Sequence, residues 1–250
     1  MSAPFRLARE LMADFAARTG LVGEAPPRRY LWTDAYAVCN FLGFYRASGE
    51  GRHLDLALRL VDQVHHTLGR HRPDDSRQGW ISGLDESAGE RHPTRGGLRI
   101  GKPLPERGAR EPYDSRLEWD LDGQYFHYLT QWMHALYRVS QETGDLTFLR
   151  WGRELAAAAH AAFTYQPPGG GPPRMVWKMS IDLSRPLVPA MGQHDPLDAL
   201  VTYLELESAA PQGGAADDEA GPALADEIAG AEAMCEAAGG WATDDPLGIG

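Results

Sequence analysis

The sequence predicts an all-α fold in which buried and peripheral helices alternate along the chain. Apolar residues return at helical spacing in one segment after another. Four helix starts share a pattern, an aromatic or polar cluster, an Asp and then an apolar run: Trp32-Thr33-Asp34, Glu118-Trp119-Asp120-Leu121-Asp122, Gln193-His194-Asp195-Pro196 and Trp241-Ala242-Thr243-Asp244-Asp245-Pro246. Strand-like character is confined to residues 174–183.

Residues 4–18 place Phe5, Ala8, Leu11, Met12 and Phe15 on one helical face, and Gly20 stops the run. The next helix starts at Asp34, carries Tyr36, Val38, Phe41, Leu42 and Tyr45, and ends near Gly49. It is apolar nearly all round, the mark of a buried helix. Residues 51–69 pair an apolar stripe (Leu54, Leu58, Val61, Val64, Leu68) with a charged face, so this helix is peripheral, closed by Gly69. An aromatic-rich helix follows from Asp122 to Thr143, then one from Leu146 to Phe163, one from Asp195 to Glu207 and one from Leu224 to Ala238. Asp245-Pro246-Leu247 opens a last one. At these starts Asp or Thr caps the first amides, and Pro occupies a position that needs no amide partner. Asp195-Pro196-Leu197 recurs as Asp245-Pro246-Leu247, and Trp32-Thr33-Asp34 is echoed by Trp241, Thr243 and Asp244, an irregular internal repeat.

Two connections stand out: residues 70–118 hold no long periodic helix, and residues 164–193 hold little. Residues 70–118 contain Trp80, Ile81, Leu84, Leu98, Ile100 and Tyr113, too apolar for a disordered segment, and are expected to lie ordered over one end of the array. Residues 209–221 are small and acidic and read as a surface loop.

A net charge of −11 argues against nucleic acid, whose phosphates need clustered Lys and Arg. No apolar run approaches the ~20 residues that cross a bilayer, and the first residues lack a signal-peptide core, so no membrane partner is expected. The two cysteines, Cys39 and Cys235, make no disulfide framework and fit a reducing, cytoplasmic setting. No zinc-ligand spacing occurs, and neither metal nor cofactor is implied. Gly96-Gly97-Leu98-Arg99-Ile100-Gly101-Lys102 matches the first part of a phosphate-binding loop, but Pro103 and Pro105 replace the Ser/Thr and the helix that must follow.

With its alternating helices and acid-and-tryptophan helix starts, the chain resembles the six-hairpin glycosidase superfamily, whose members fold as (α/α)6 toroids. The resemblance implies an (α/α)6-toroid-like array of inner and outer helices forming a single domain over residues 1–250. Asp34, Asp122, Asp195 and Asp245 then open inner helices, and 4–18, 51–69, 146–163 and 224–238 are outer ones. About three and a half hairpins are present, so truncation at the C-terminal end is expected, together with an open edge through which copies can self-associate. Similar proteins include glycoside hydrolases and the N-acylglucosamine 2-epimerase group, which bind sugars in a funnel where the inner helices begin. The implied partner is a small carbohydrate or an oligosaccharide.

Glycosidic cleavage needs two carboxyl groups, and crowding of acids raises the pKa of one of them until it can serve as the acid. The expected carboxyls are Asp120 or Asp122 on one side of the funnel and Asp195 or Asp34 on the other. The substrate-binding candidates are Trp32, Trp80, Glu118, Trp119, Gln193, His194, Trp241 and Asp245. Aromatic faces can stack on sugar rings, and His194 can bind a hydroxyl or move a proton. Against this stands the plainer reading, in which the acids cap helices and the tryptophans are core. His127 and His134 share a face of the aromatic helix and read as core or surface residues. Two alternatives stay open: a sugar epimerase or isomerase using histidine, and a carbohydrate-binding or scaffold protein without activity.

Overall fold

The computed structural model describes residues 3–188, 190, 192, 194–209 and 219–238. Among the described residues the chain is mostly helical, 56% helix against 7% strand. In order it forms α1 (Ala3–Arg18), α2 (Leu31–Ser48), α3 (Gly51–Leu68), the short α4 (Glu86–Arg91), a 3-10 turn (Leu117–Trp119), β1 (Gln124–Tyr125), α5 (Phe126–Thr143), α6 (Leu146–Phe163), β2 (Thr164–Tyr165), β3 (Arg174–Met175), β4 (Lys178–Met179), β5 (Pro186–Val188), α7 (Asp195–Ser208) and α8 (Ala225–Ala237).

The long helices pair as antiparallel hairpins, α2 with α3, α5 with α6 and α7 with α8. The first of each pair also packs on its counterparts, so α2, α5 and α7 form an inner row with α5 in the middle. The outer helix α3 turns Ala57, Leu60, Val61, Val64 and Leu68 inward, a stripe that repeats every three or four residues. The middle helix α5 is buried on several sides, through Phe126, Leu129, Trp132, Met133, Leu136 and Val139. Two of the hairpin turns are made by glycine: Gly49 and Gly144 adopt φ of 70° and 71° and return their amides to Tyr45 and Ser140. A side chain is costly at that φ, and glycine has none.

Antiparallel alternation puts the starts of α2, α5 and α7 at one end of the molecule. There the chain is tied across by main-chain hydrogen bonds, from Leu31 N to Ile100 O, from Ile100 N to Gly123 O, from Phe126 N to Trp177 O and from Trp177 N to Ala190 O. A small antiparallel sheet, β1-β4-β5, sits over the start of α5, with Gln124 opposite Met179 and Lys178 opposite Val188.

Two expected helix starts move. Helix α2 begins at Leu31 with Tyr30 as its cap residue, and Asp34 reaches back to the Tyr30 amide at 2.9 Å. Helix α5 begins at Phe126, because the carboxyl of Asp122 is held by other partners and Gln124–Tyr125 pair as strand. The segment 174–183 is not one strand but β3, β4 and a turn, and β5, which begins at Pro186, pairs with β4.

Candidate functional site

The common end of the inner helices is lined by aromatic rings. Trp32, in the first turn of α2, meets His127 at 5.8 Å and Tyr128 at 5.0 Å on α5. The Tyr30 and Tyr128 hydroxyls share a 2.7 Å hydrogen bond. Tyr125 stacks nearly parallel on His127, 13° and 5.6 Å apart. Trp177, just before β4, continues the wall from Tyr125 to Trp119.

Asp195 faces this wall from the start of α7. It is 5% exposed, and its Oδ1 lies 3.8 Å from His127 Nδ1. Its Oδ2 has no hydrogen-bond partner among the described residues. Burial raises the carboxyl to about 7, with the nearby Asp198 pushing the same way and the Gly192 amide pulling back. Burial also lifts Asp198, one helical turn on, against the pull of His194. His127 is driven down to about 4 by desolvation, so near neutrality it is an uncharged imidazole. A buried carboxyl with a raised pKa and an uncharged imidazole thus meet beside the aromatic rings.

Asp122 is a different kind of acid. It is fully buried and accepts from Arg99 Nη1 at 2.9 Å, Arg72 Nη1 at 3.2 Å and the amides of Gly101 and Lys102 at 3.0 and 3.2 Å. The glycine-rich 96–102 segment therefore does hold an anion, the chain's own Asp122. Its lone pairs are spent, and it anchors the 97–102 segment beneath α5.

The remaining candidates separate in the same way. Asp34 points away from the wall: it lies two residues from Trp32, on the opposite side of α2 by helical phase. Its partner is Arg29, at 3.6 Å with both side chains buried, and burial lifts the carboxyl to about 7 against the pull of that guanidinium. Glu118 is buried between Lys178 Nζ and Arg107 Nε, each at 2.9 Å. Asp120 is exposed at the end of the 3-10 turn. Trp80 is buried under α4, its ring covered by Arg70 at 4.5 Å and flanked by His66, away from the aromatic wall. Trp32, Trp119, His194 and Asp195 are at the common end. Gln193, Trp241 and Asp245 lie outside the described residues. The sequence reading missed Tyr30, Tyr125, Tyr128, Trp177, His127 and Asp198 as members of the site. Only the spacing of Trp32, with its ring partner Tyr36 one turn on, carried a signal for an aromatic lumen face.

A concavity of about 420 Å3 opens elsewhere, between the 72–77, 105–109 and 181–185 loops. Its charges are mutually engaged: Arg77 alone holds Asp75 and Glu106 at 2.7 Å and Asp182 at 2.6 Å. This knot pins three loops together and leaves no unpaired acid for chemistry. Among the described residues no group of His, Cys, Asp and Glu could hold a metal ion, and no helix is long and apolar enough to cross a membrane.

No sequence-family profile matches the chain, and no curated protein matches it by sequence. Solved structures do match. The unsaturated glucuronyl hydrolase of Bacillus sp. GL1, responsible for the degradation of glycosaminoglycan, superposes with a TM-score of 0.53 at 13% identity, over 93% of this chain and 54% of that one. An aspartate-to-asparagine variant of UGL with dGlcA-Glc-Rha-Glc gives 0.52 at 14% identity, over the same shares. The likeness is one of fold. It establishes the all-α toroid architecture, of which this chain spans about half the length of the proteins it matches.

Proposed function

We propose that this chain is a carbohydrate-active protein, with its reaction centre at Asp195 and acid-assisted glycosidic cleavage as its chemistry. One observation carries the reading. A buried carboxyl with a raised pKa and a free oxygen among the described residues faces an aromatic wall where the inner helices begin. Asp195 then supplies the proton that the departing glycosidic oxygen takes up. Asp198 lies three residues along the same helix, where side chains stand ~5–6 Å apart at Cβ. As the second carboxylate, it receives the proton of the attacking water. Like charges so close push their pKa values apart, which keeps the proton on the more buried member. Trp32 and Tyr128 present ring faces to the sugar, and His194 at the cap position of α7 orients a hydroxyl. Fold neighbours that act on or are complexed with saccharides support this assignment.

The uncharged His127 beside Asp195 favours a second reading, an epimerase or isomerase in which the imidazole removes a proton next to a sugar carbonyl. Both are tested with one protein sample. Incubation with dGlcA-Glc-Rha-Glc and a panel of aryl glycosides is expected to release product, and Asp195→Asn to lower turnover by about 10²–10⁴-fold while sparing sugar binding. Deuterium incorporation at a sugar carbon without bond cleavage, lost in His127→Ala, establishes the epimerase reading instead. Binding without either reaction reduces the chain to a carbohydrate-binding protein.

A further inference from the structure

Trp80 takes no part in the aromatic wall, but it lines a space of its own. A cavity of about 150 Å3 lies between the outer helices α3 and α6, beside α4. Its walls include the rings of Trp80, Phe148 and Trp151 and the aliphatic side chains of Leu58 and Val61. Both indoles are fixed. Trp151 Nε1 donates to Arg91 O at 2.9 Å, and Trp151 O accepts from Thr94 Oγ1 at 2.8 Å. Trp80 is covered by Arg70 at 4.5 Å, and α4 lies on it at Gly89, where a Cβ would collide with the indole. The cavity is therefore formed before anything enters it.

The polar end of this cavity is His65, which is 2% exposed. Its Nε2 accepts from Trp132 Nε1 at 3.2 Å. Burial pushes its pKa down to about 3, and the neighbouring His66 acts the same way. The ring is thus uncharged near neutrality, and its one proton sits on Nδ1. Nδ1 has no acceptor among the described residues, and the ring opens only on the cavity that it lines. A buried N–H without an acceptor is costly, so what it lacks is an acceptor brought in from outside. The charges at the rim face one another. His66 Nε2 meets the two carboxylate oxygens of Glu90 at 2.9 and 3.0 Å, and His66 Nδ1 lies 3.2 Å from Asp62 Oδ1. The site therefore suits a neutral molecule rather than an ion.

We propose that this cavity binds a neutral one-ring aromatic molecule carrying a hydrogen-bond acceptor, of the pyridine or aryl-carbonyl kind, with the acceptor on His65 Nδ1–H and the ring among Trp80, Phe148 and Trp151. Apolar cavities of about this volume hold a single benzene ring. Aromatic walls add edge and face contacts to the area that such a ring buries. A saccharide does not suit the site, because its many hydroxyls would be stripped of water against apolar walls with one donor to meet them. The site is thus independent of the reaction centre and of the carbohydrate reading. Because its walls are fixed in advance, little order is lost on binding.

The test is NMR titration of the full chain, labelled with nitrogen-15 at histidine, with pyridine and with benzene in mildly alkaline buffer, where pyridine is uncharged. The His65 Nδ1–H resonance is assigned by its absence in His65→Gln. Pyridine is expected to bind and to move that resonance downfield, as a new acceptor does, whereas benzene leaves it without a downfield shift. Leu58→Trp and Phe148→Trp fill the cavity from half-buried positions on α3 and α6. In each that keeps the parent's melting behaviour, pyridine affinity is expected to fall by about tenfold or more. Absence of pyridine binding overturns the proposal, as does binding that leaves the Nδ1–H resonance in place. So does unchanged pyridine affinity in a folded, filled variant, because the ligand then sits elsewhere. Should neither filled variant fold, the Nδ1–H shift of the parent decides alone.

Discussion

Asp122 and Asp195 stand at the same end of the molecule, one just before an inner helix and one as the first residue of the next. Both are buried. Asp122 is surrounded by two guanidinium groups and two amides, each donating a hydrogen bond to its carboxylate. Asp195 faces a neutral imidazole and the edge of an aromatic wall, with one oxygen unpartnered among the described residues. The difference teaches that burial alone does not mark a working acid. A carboxylate that is solvated by the protein holds structure, whereas one that is desolvated without full compensation has its pKa lifted toward neutrality, where it can hold and release a proton.

The largest expected effect tests the structural half of this contrast. Asp122→Ala leaves Arg99 and Arg72 buried without their counter-ion and is expected to cost ~3–5 kcal/mol in guanidinium unfolding. A loss below ~1 kcal/mol breaks the comparison, because Asp122 is then not the anchor of the 97–102 segment.

The next effect has the opposite sign. The folded-state pKa of Asp195, about 7, lies above its unfolded value of about 4. Folded protein therefore binds this proton more tightly, and the stability it contributes is full below about pH 4 and lost as pH rises to about 7. Asp195→Asn removes the penalty of the ionised form, so its melting temperature is expected to exceed the parent's at pH 8 and to match it near pH 4. A variant that is destabilised equally at both pH values contradicts the assignment.

Histidines work against this trend. His65 is buried, accepts from Trp132 Nε1 at 3.2 Å and is pushed down to about 3 by desolvation. Its lowered folded-state pKa makes stability fall as pH drops from about 6.5 towards 3, since the unfolded chain gains the proton first. His65→Gln is expected to flatten that acid limb in a pH series of denaturant melts; an unchanged limb assigns it to other groups.

The smallest effect lies at the far end of the same inner helices, where exposed Arg46 pairs with Glu142. Glu142→Gln is expected to change stability by less than ~1 kcal/mol, within the range of surface ion pairs, and a larger loss means that charge at that end is also structural.

The helices were legible because their signal is local. Residues 51–69 and 146–163 show an apolar stripe bounded by Gly69 or by Asp145 and Thr164, and their observed limits, Gly51–Leu68 and Leu146–Phe163, follow it closely. The starts of α2 and α5 were misplaced by a few residues, because an Asp near a helix start resembles a cap whether or not its carboxyl has found partners elsewhere. Those partners are distant in sequence: Arg72 and Arg99 for Asp122, Arg29 for Asp34. The same limit governs the site. Asp195 was readable from its Pro-bearing helix start, but His127 and Tyr125 lie inside an aromatic run that is equally well suited to a core. Trp177 sits between two short strands, and only the pairing of the second, Lys178–Met179, with Gln124–Tyr125 brings it onto the wall. Trp80 illustrates the converse, a conspicuous residue in a long loop whose ring is closed over by α4 and Arg70.

The protonation of one side chain decides the matter, and carbon-13 NMR of the Asp195 carboxyl as pH is varied reads it directly, with the resonance assigned by its absence in Asp195→Asn. A midpoint near 7 is predicted. A midpoint near 4, the value of a solvated aspartate, contradicts the role of Asp195 as the acid at the head of the inner helices.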